Sequence, residues 1–133
     1  QELTSIQMLS DYYKLLECKT ATYWETHYVF GKEHRMTRKK TTHSFLDLLL
    51  INTVIPLQFA YLNYKGNTNI DSLLDVMKQI APERNSVVDS FVKQSLKIEN
   101  AMQSQALLTL KKEYCSNQKC LQCEVGLHIL KRK

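Results

Sequence analysis

The chain has 133 residues, 44% of them apolar, which is enough for one buried core and too little for two ordinary domains. Its 3 Gly and 2 Pro exclude collagen-like and Pro/Gly-rich disordered chains and disfavour a fold of many tight turns, leaving an all-α domain. The net charge of +5 sits in two short segments, residues 31–44 and 111–133, each of net +4, so phosphate-rich partners become conceivable.

In chain order, Leu3, Ile6, Leu9, Tyr13 and Leu16 recur at steps of three and four, which predicts a helix over residues 3–16. Residues 21–30 predict a second short helix, in which Tyr23, Trp24, His27, Tyr28 and Phe30 gather aromatic bulk for packing, with Trp24 as the anchor and Gly31 as the stop. Residues 32–42 are polar and basic without apolar periodicity, and read as an exposed loop. Residues 44–64 are apolar nearly all round, the pattern of a central helix surrounded by its neighbours. Pro56 removes one backbone donor and predicts a kink near its middle. Asp47, Asn52 and Gln58 interrupt this stretch too often for a lipid span, and no secretory leader is visible, so the expectation is a soluble, cytoplasmic chain with no membrane partner. Those three polar residues are read as helix-to-helix hydrogen bonders rather than as a buried polar site.

Residues 65–69 predict a turn, with Thr68 or Asn69 capping a helix whose stripe is Ile70, Leu73, Leu74, Met77 and Ile80. Pro82 and Glu83 open a fifth helix carrying Val87, Val88, Phe91, Val92 and Leu96. Met102, Ala106, Leu107, Leu110 and Tyr114 mark a sixth, which runs into a cysteine-rich end. The expected architecture is therefore a single domain over residues 1–133, a compact all-α bundle of five to seven helices around the Pro-kinked central one.

Three cysteines fall within nine residues, as Cys115-x4-Cys120-x2-Cys123. Such a cluster suits zinc, or less well an iron–sulfur centre, because ligands close in sequence converge at little loop-closure cost. His128 is the candidate fourth ligand and Cys18 its alternative; packed, reduced thiols that hold no metal are the plain alternative to both. On one unbroken helix Cys120 and His128 would lie about 12 Å apart along the axis. Because ligands of one zinc lie within roughly 4 Å of each other, a Cys115, Cys120, Cys123 and His128 site requires Gly126 to break that helix.

Arg35, Arg38, Lys39 and Lys40 are the candidate nucleic-acid contacts, beside aromatic residues that could stack bases. A solvated basic loop and ordinary aromatic core packing are the bland readings of the same residues. No P-loop, dinucleotide loop, HExxH or GxSxG motif occurs, so an enzyme acting on its own is disfavoured.

Residues 50–61 (LINTVIPLQFAY), residues 104–108 (SQALL), Tyr114-Cys115-x4-Cys120-Leu121-x-Cys123-x2-Gly126 and Trp24-x2-His27-Tyr28-x-Phe30-Gly31-Lys32 together resemble the C-terminal part of bacterial domain-of-unknown-function family 2851. The resemblance covers residues 23–130 and includes the three cysteines, but not a histidine at position 128. It implies a fragment of a longer protein, whose own N-terminal domain is the expected partner and carries segments similar to metal-dependent nucleases. On that basis the chain is expected to be an accessory domain that positions nucleic acid, or a structural domain packed on the N-terminal half.

Overall fold

The structure, a computed structural model, describes residues 6, 8–67 and 70–131. It is mainly helical, as expected, and the chain forms two compact units, residues 1–73 and 74–133.

In the first unit, α1 (Leu9–Leu16) is followed by a single helical turn, α2 (Tyr23–Thr26). The chain then reverses through a two-stranded antiparallel hairpin, β1 (His27–Val29) and β2 (Lys32–Glu33). Next comes a long helix over residues 43–64, made of α3 (His43–Leu49), a π-helical segment Leu50–Val54 and α4 (Ile55–Tyr64). Thr42 caps it by accepting a hydrogen bond from the Phe45 amide through its side chain.

The π segment is the form that the expected irregularity at Pro56 takes. Proline has no N–H, and its ring clashes with the carbonyl four residues back. The helix widens in the preceding turn, so that the Ile55 amide donates to Leu50 O, five residues back. One face stays buried through this change, namely Leu46, Leu50, Ile51, Ile55 and Gln58.

α1 packs on that face through two consecutive tyrosines. Tyr12, fully buried, donates its hydroxyl to Gln58 Oε1 at 2.8 Å, and Tyr13 donates to Asp47 Oδ1 while stacking on His43 with ring centroids 4.6 Å apart. Two of the three polar residues of the apolar helix thus make the helix-to-helix hydrogen bonds expected of them. The third, Asn52, donates to Leu48 O within its own helix.

Burial, together with the hydrogen bond to Asp47 and its negative charge, raises the Tyr13 ionisation well above its ordinary value near 10. A tyrosine held neutral in the fold stabilises it fully below pH about 10, and that contribution is lost as the pH rises further. Wild-type protein should therefore lose thermal stability above pH about 10 more steeply than Tyr13→Phe. Parallel stability curves for the two proteins between pH 8 and 11 would contradict this.

The second unit takes over within α5 (Asp71–Gln79), on which Leu73 and Val76 are buried, as is Ile80 just after it. The expected caps Thr68 and Asn69 lie outside the described residues, as does Leu3 of the first expected stripe. Pro82 does not open a helix. Residues 81–84 are irregular, and α6 (Ser86–Val92) starts only where Asn85 Oδ1 accepts from the amides of Val87 and Val88. Leu96 lies beyond its end, past Ser95 at φ 67°. α7 (Ala101–Thr109), capped by Asn100, continues as a π segment, Leu110–Cys115, and α8 (Glu124–Lys131) closes the described chain.

Ser104, fully buried on α7, ties the irregular segment down. Its Oγ accepts from the Glu83 amide at 3.2 Å and donates to Ala101 O at 3.0 Å. Alongside it, the Ala101 amide donates to Ile80 O, and Gln105 Nε2 donates to the Glu83 carboxylate.

Two further expectations are corrected. The aromatic stretch is not a helix over residues 21–30: helix ends at Thr26, and Gly31, at φ 71°, makes the hairpin turn instead of a helix stop. The central helix, moreover, is not surrounded. Phe45, Leu48, Leu57, Phe59, Tyr61 and Tyr64 are exposed on it.

Among the described residues, His43–Tyr64 is the one helix long and apolar enough to cross a membrane by length and composition. It has 22 residues and a mean hydropathy of 1.6, and only 28% of its most apolar window is buried. Its inward polar groups, Asp47 and Gln58, are taken up by the tyrosines of α1.

Candidate nucleic-acid interface

Residues 19–40 form an excursion that leaves and returns at one point. At its root, residue 19 pairs with residue 40 in an isolated antiparallel bridge, and Thr20 Oγ1 donates to Lys39 O at 2.8 Å. Further out, the His34 amide donates to Thr26 O at 2.7 Å and the Thr37 amide to Glu25 O at 2.8 Å. The basic stretch 32–42 is thus exposed, as expected, but it is tied to the preceding segment through its backbone rather than left as a free loop.

Inside the excursion the aromatic rings pack on one another. Tyr23 stacks on His27 at 3.9 Å between centroids, meets Trp24 edge-on at 5.1 Å, and accepts the Gly31 amide on its hydroxyl at 3.0 Å. Trp24 meets Phe30 edge-on at 5.0 Å. These rings are not a core: Phe30 at the turn is 82% exposed and Tyr28 63%, while Trp24 is half-buried. Burial inside the chain was the bland reading of this cluster, and the hairpin overturns it by carrying the rings outward.

The four expected cationic contacts divide. Lys39 is turned inward, its Nζ donating to His27 O and lying 3.5 Å from the centre of the Tyr28 ring, a cation–π contact that locks the hairpin. Arg35, Arg38 and Lys40 are exposed, and their side chains carry no hydrogen bond or ion pair among the described residues. Lys19, opposite Lys40, is a further exposed cation that the sequence reading missed, since it lies outside the basic segment and only the pairing brings it there.

At the other candidate site, Cys115 ends a π segment, Cys120 opens a 3-10 turn (Cys120–Gln122), Cys123 links that turn to α8, and His128 lies on α8. Cys123 is buried, whereas Cys115, Cys120, Cys18 and His128 are exposed, and all four cysteines are free thiols. Gly126 does not break the helix, as a Cys3His site required; it sits inside α8. A Cβ there would come within 2.3 Å of Cys120 O, so the glycine allows the 3-10 turn to lie directly on the helix. Among the described residues no group of three or more His, Cys, Asp or Glu side chains is placed to hold a metal ion.

A family model described as "Protein of unknown function (DUF2851)" matches residues 1–86. The match contains the hairpin and the long apolar helix, and leaves the cysteine turn outside it. No curated protein and no solved structure matches the chain.

Proposed function

The chain belongs to the DUF2851 family of proteins of unknown function, and on that footing we propose that it is a non-catalytic accessory domain that holds single-stranded nucleic acid on its 19–40 excursion. In this reading it serves a longer bacterial, cytoplasmic protein, where it positions the strand for a nuclease-like N-terminal domain. The observation that carries the proposal is the juxtaposition, on one excursion, of outward-facing aromatic rings with the unpaired cations Arg35, Arg38 and Lys40.

Exposed aromatic side chains offer faces to bases of any sequence, and cations beside them follow the phosphates. Tyr28 has one face taken by Lys39, so the Phe30 ring at the tip is the better stacking platform. Stacking contributes about 1–3 kcal/mol per base. Phe30→Ala should therefore weaken binding of a fluorescent 15-nucleotide oligo-dT by about 5- to 150-fold, with an unchanged circular dichroism spectrum because the ring is exposed. Equal affinity of wild type and variant would remove the stacking role.

A second reading is favoured by the exposed apolar side of His43–Tyr64. There the domain is structural and seats this helix against the rest of the full-length protein. Leu57→Glu should then release the domain from an N-terminal half supplied in trans, and intact association would count against this reading.

A further inference from the structure

The bridge at the root of the excursion sets residue 19 directly opposite residue 40. Directly opposed residues of an antiparallel pair have Cβ atoms about 4.5–5.5 Å apart on the same face, and like charges placed so are destabilising. Both positions are lysine. The pairing is also fastened on either side, by Thr20 Oγ1 donating to Lys39 O at 2.8 Å and by Thr41 Oγ1 donating to Cys18 O at 3.4 Å.

Neither lysine forms an ion pair among the described residues, and Glu17, the acid closest to Lys19 in sequence, pairs with neither. Lys39, between Lys40 and the hairpin, is committed to His27 O and the Tyr28 ring. The two lysine side chains therefore leave the bridge on one face, with ammonium donors free for an anion.

We propose that Lys19 and Lys40 form a two-point clamp for one phosphate group of a bound strand. The inference rests on the nucleic-acid reading above and deepens it by assigning the phosphate position at the root of the excursion whose hairpin carries Phe30 at its tip. A phosphodiester has two free oxygens sharing one negative charge, and one ammonium can donate to each. Lysine acts as a flexible point charge, which suits a contact that reads backbone and not sequence.

The test uses the full chain, fluorescent 15-nucleotide oligo-dT in an anisotropy titration, and thermal unfolding without ligand. Lys19→Gln and Lys40→Gln should each weaken binding by about 3- to 10-fold at low salt, and the double variant should lower the slope of log K against log salt by about 0.7, the share of one phosphate. Lys40→Glu should weaken binding further and yet raise the thermal midpoint, because an opposite-charge pair replaces a like-charge one. Adding Lys19→Glu to it should bring the midpoint back down.

Glutamine variants that bind like wild type, with an unchanged slope, would overturn the clamp while leaving the nucleic-acid reading standing. Failure of wild type itself to bind the oligonucleotide would overturn both. A midpoint that Lys40→Glu leaves unchanged or lowers would show that the charges are not opposed as described. Displacement of the strand by inorganic phosphate, beyond that by chloride at equal ionic strength, would reassign the clamp to free phosphate.

Discussion

Leu50→Ala should destabilise the first unit by about 2–5 kcal/mol, whereas Leu57→Ala, seven residues on in the same helix, should change its stability by less than about 0.5 kcal/mol. Leu50 is fully buried at the start of the π segment, on the face that receives α1. Truncation there removes apolar contacts and leaves a cavity that close-packed neighbours fill only in part. Leu57 is 66% exposed, so its truncation removes little from shelter. Urea unfolding of both variants checks the pair. Equal losses would mean that the outer side of the helix is covered in solution, and the second reading of the function would then gain at once.

Gly126→Ala should destabilise the second unit by about 1–3 kcal/mol, although the same change in an exposed helix interior stabilises by about 1 kcal/mol. The sign is reversed by one close approach. The added methyl would meet Cys120 O at 2.3 Å and the Cys120 carbonyl carbon and Cα at 3.0 Å, all backbone atoms of the 3-10 turn. No rotamer change relieves such a contact, so the turn must move off α8. Cys123, which is buried, directly follows that turn, so the thiol should become more reactive as the turn lifts. Unfolding by denaturant, with thiol labelling at Cys123, measures both effects. A stabilised variant with unchanged labelling would contradict the packing of this end of the chain.

Much of the fold was legible because helix periodicity is a strong local signal. The long apolar helix was expected over residues 44–64 and occupies His43–Tyr64, and its polar residues Asp47 and Gln58 were read as inter-helix hydrogen bonders. What failed has physical reasons. Tyr23 and Trp24 precede His27 by four and three residues, and His27 precedes Phe30 by three, as on a helix face, but the hairpin stacks these rings around a turn that depends on Gly31. Asn85 outweighed Pro82 as a helix start because it satisfies two free amides, while proline only tolerates the position. An all-round apolar composition says that a helix needs shelter and not that its own chain provides it, which is why the exposure of Phe45, Leu57 and Tyr64 was not foreseen.

The candidate site was legible in composition but not in arrangement. Arg35, Arg38 and Lys40 could be named from charge alone, and Lys39 could not be separated from them until its ammonium was found against Tyr28. Lys19 became visible only through an isolated bridge between positions 19 and 40, 21 residues apart in sequence. Conversely, the spacing of Cys115, Cys120 and Cys123 suggested convergence that the turn and helix do not produce among the described residues.

The central claim, that the 19–40 excursion holds a nucleic-acid strand, is tested most directly by titrating wild-type protein with fluorescent 15-nucleotide oligo-dT, and with the corresponding blunt duplex, at a series of salt concentrations. Binding to the single strand should weaken linearly in log salt, and the duplex, whose bases are not free to stack on Phe30, should bind more weakly. No binding to the single strand at low salt, or affinity that does not change with salt, would contradict it.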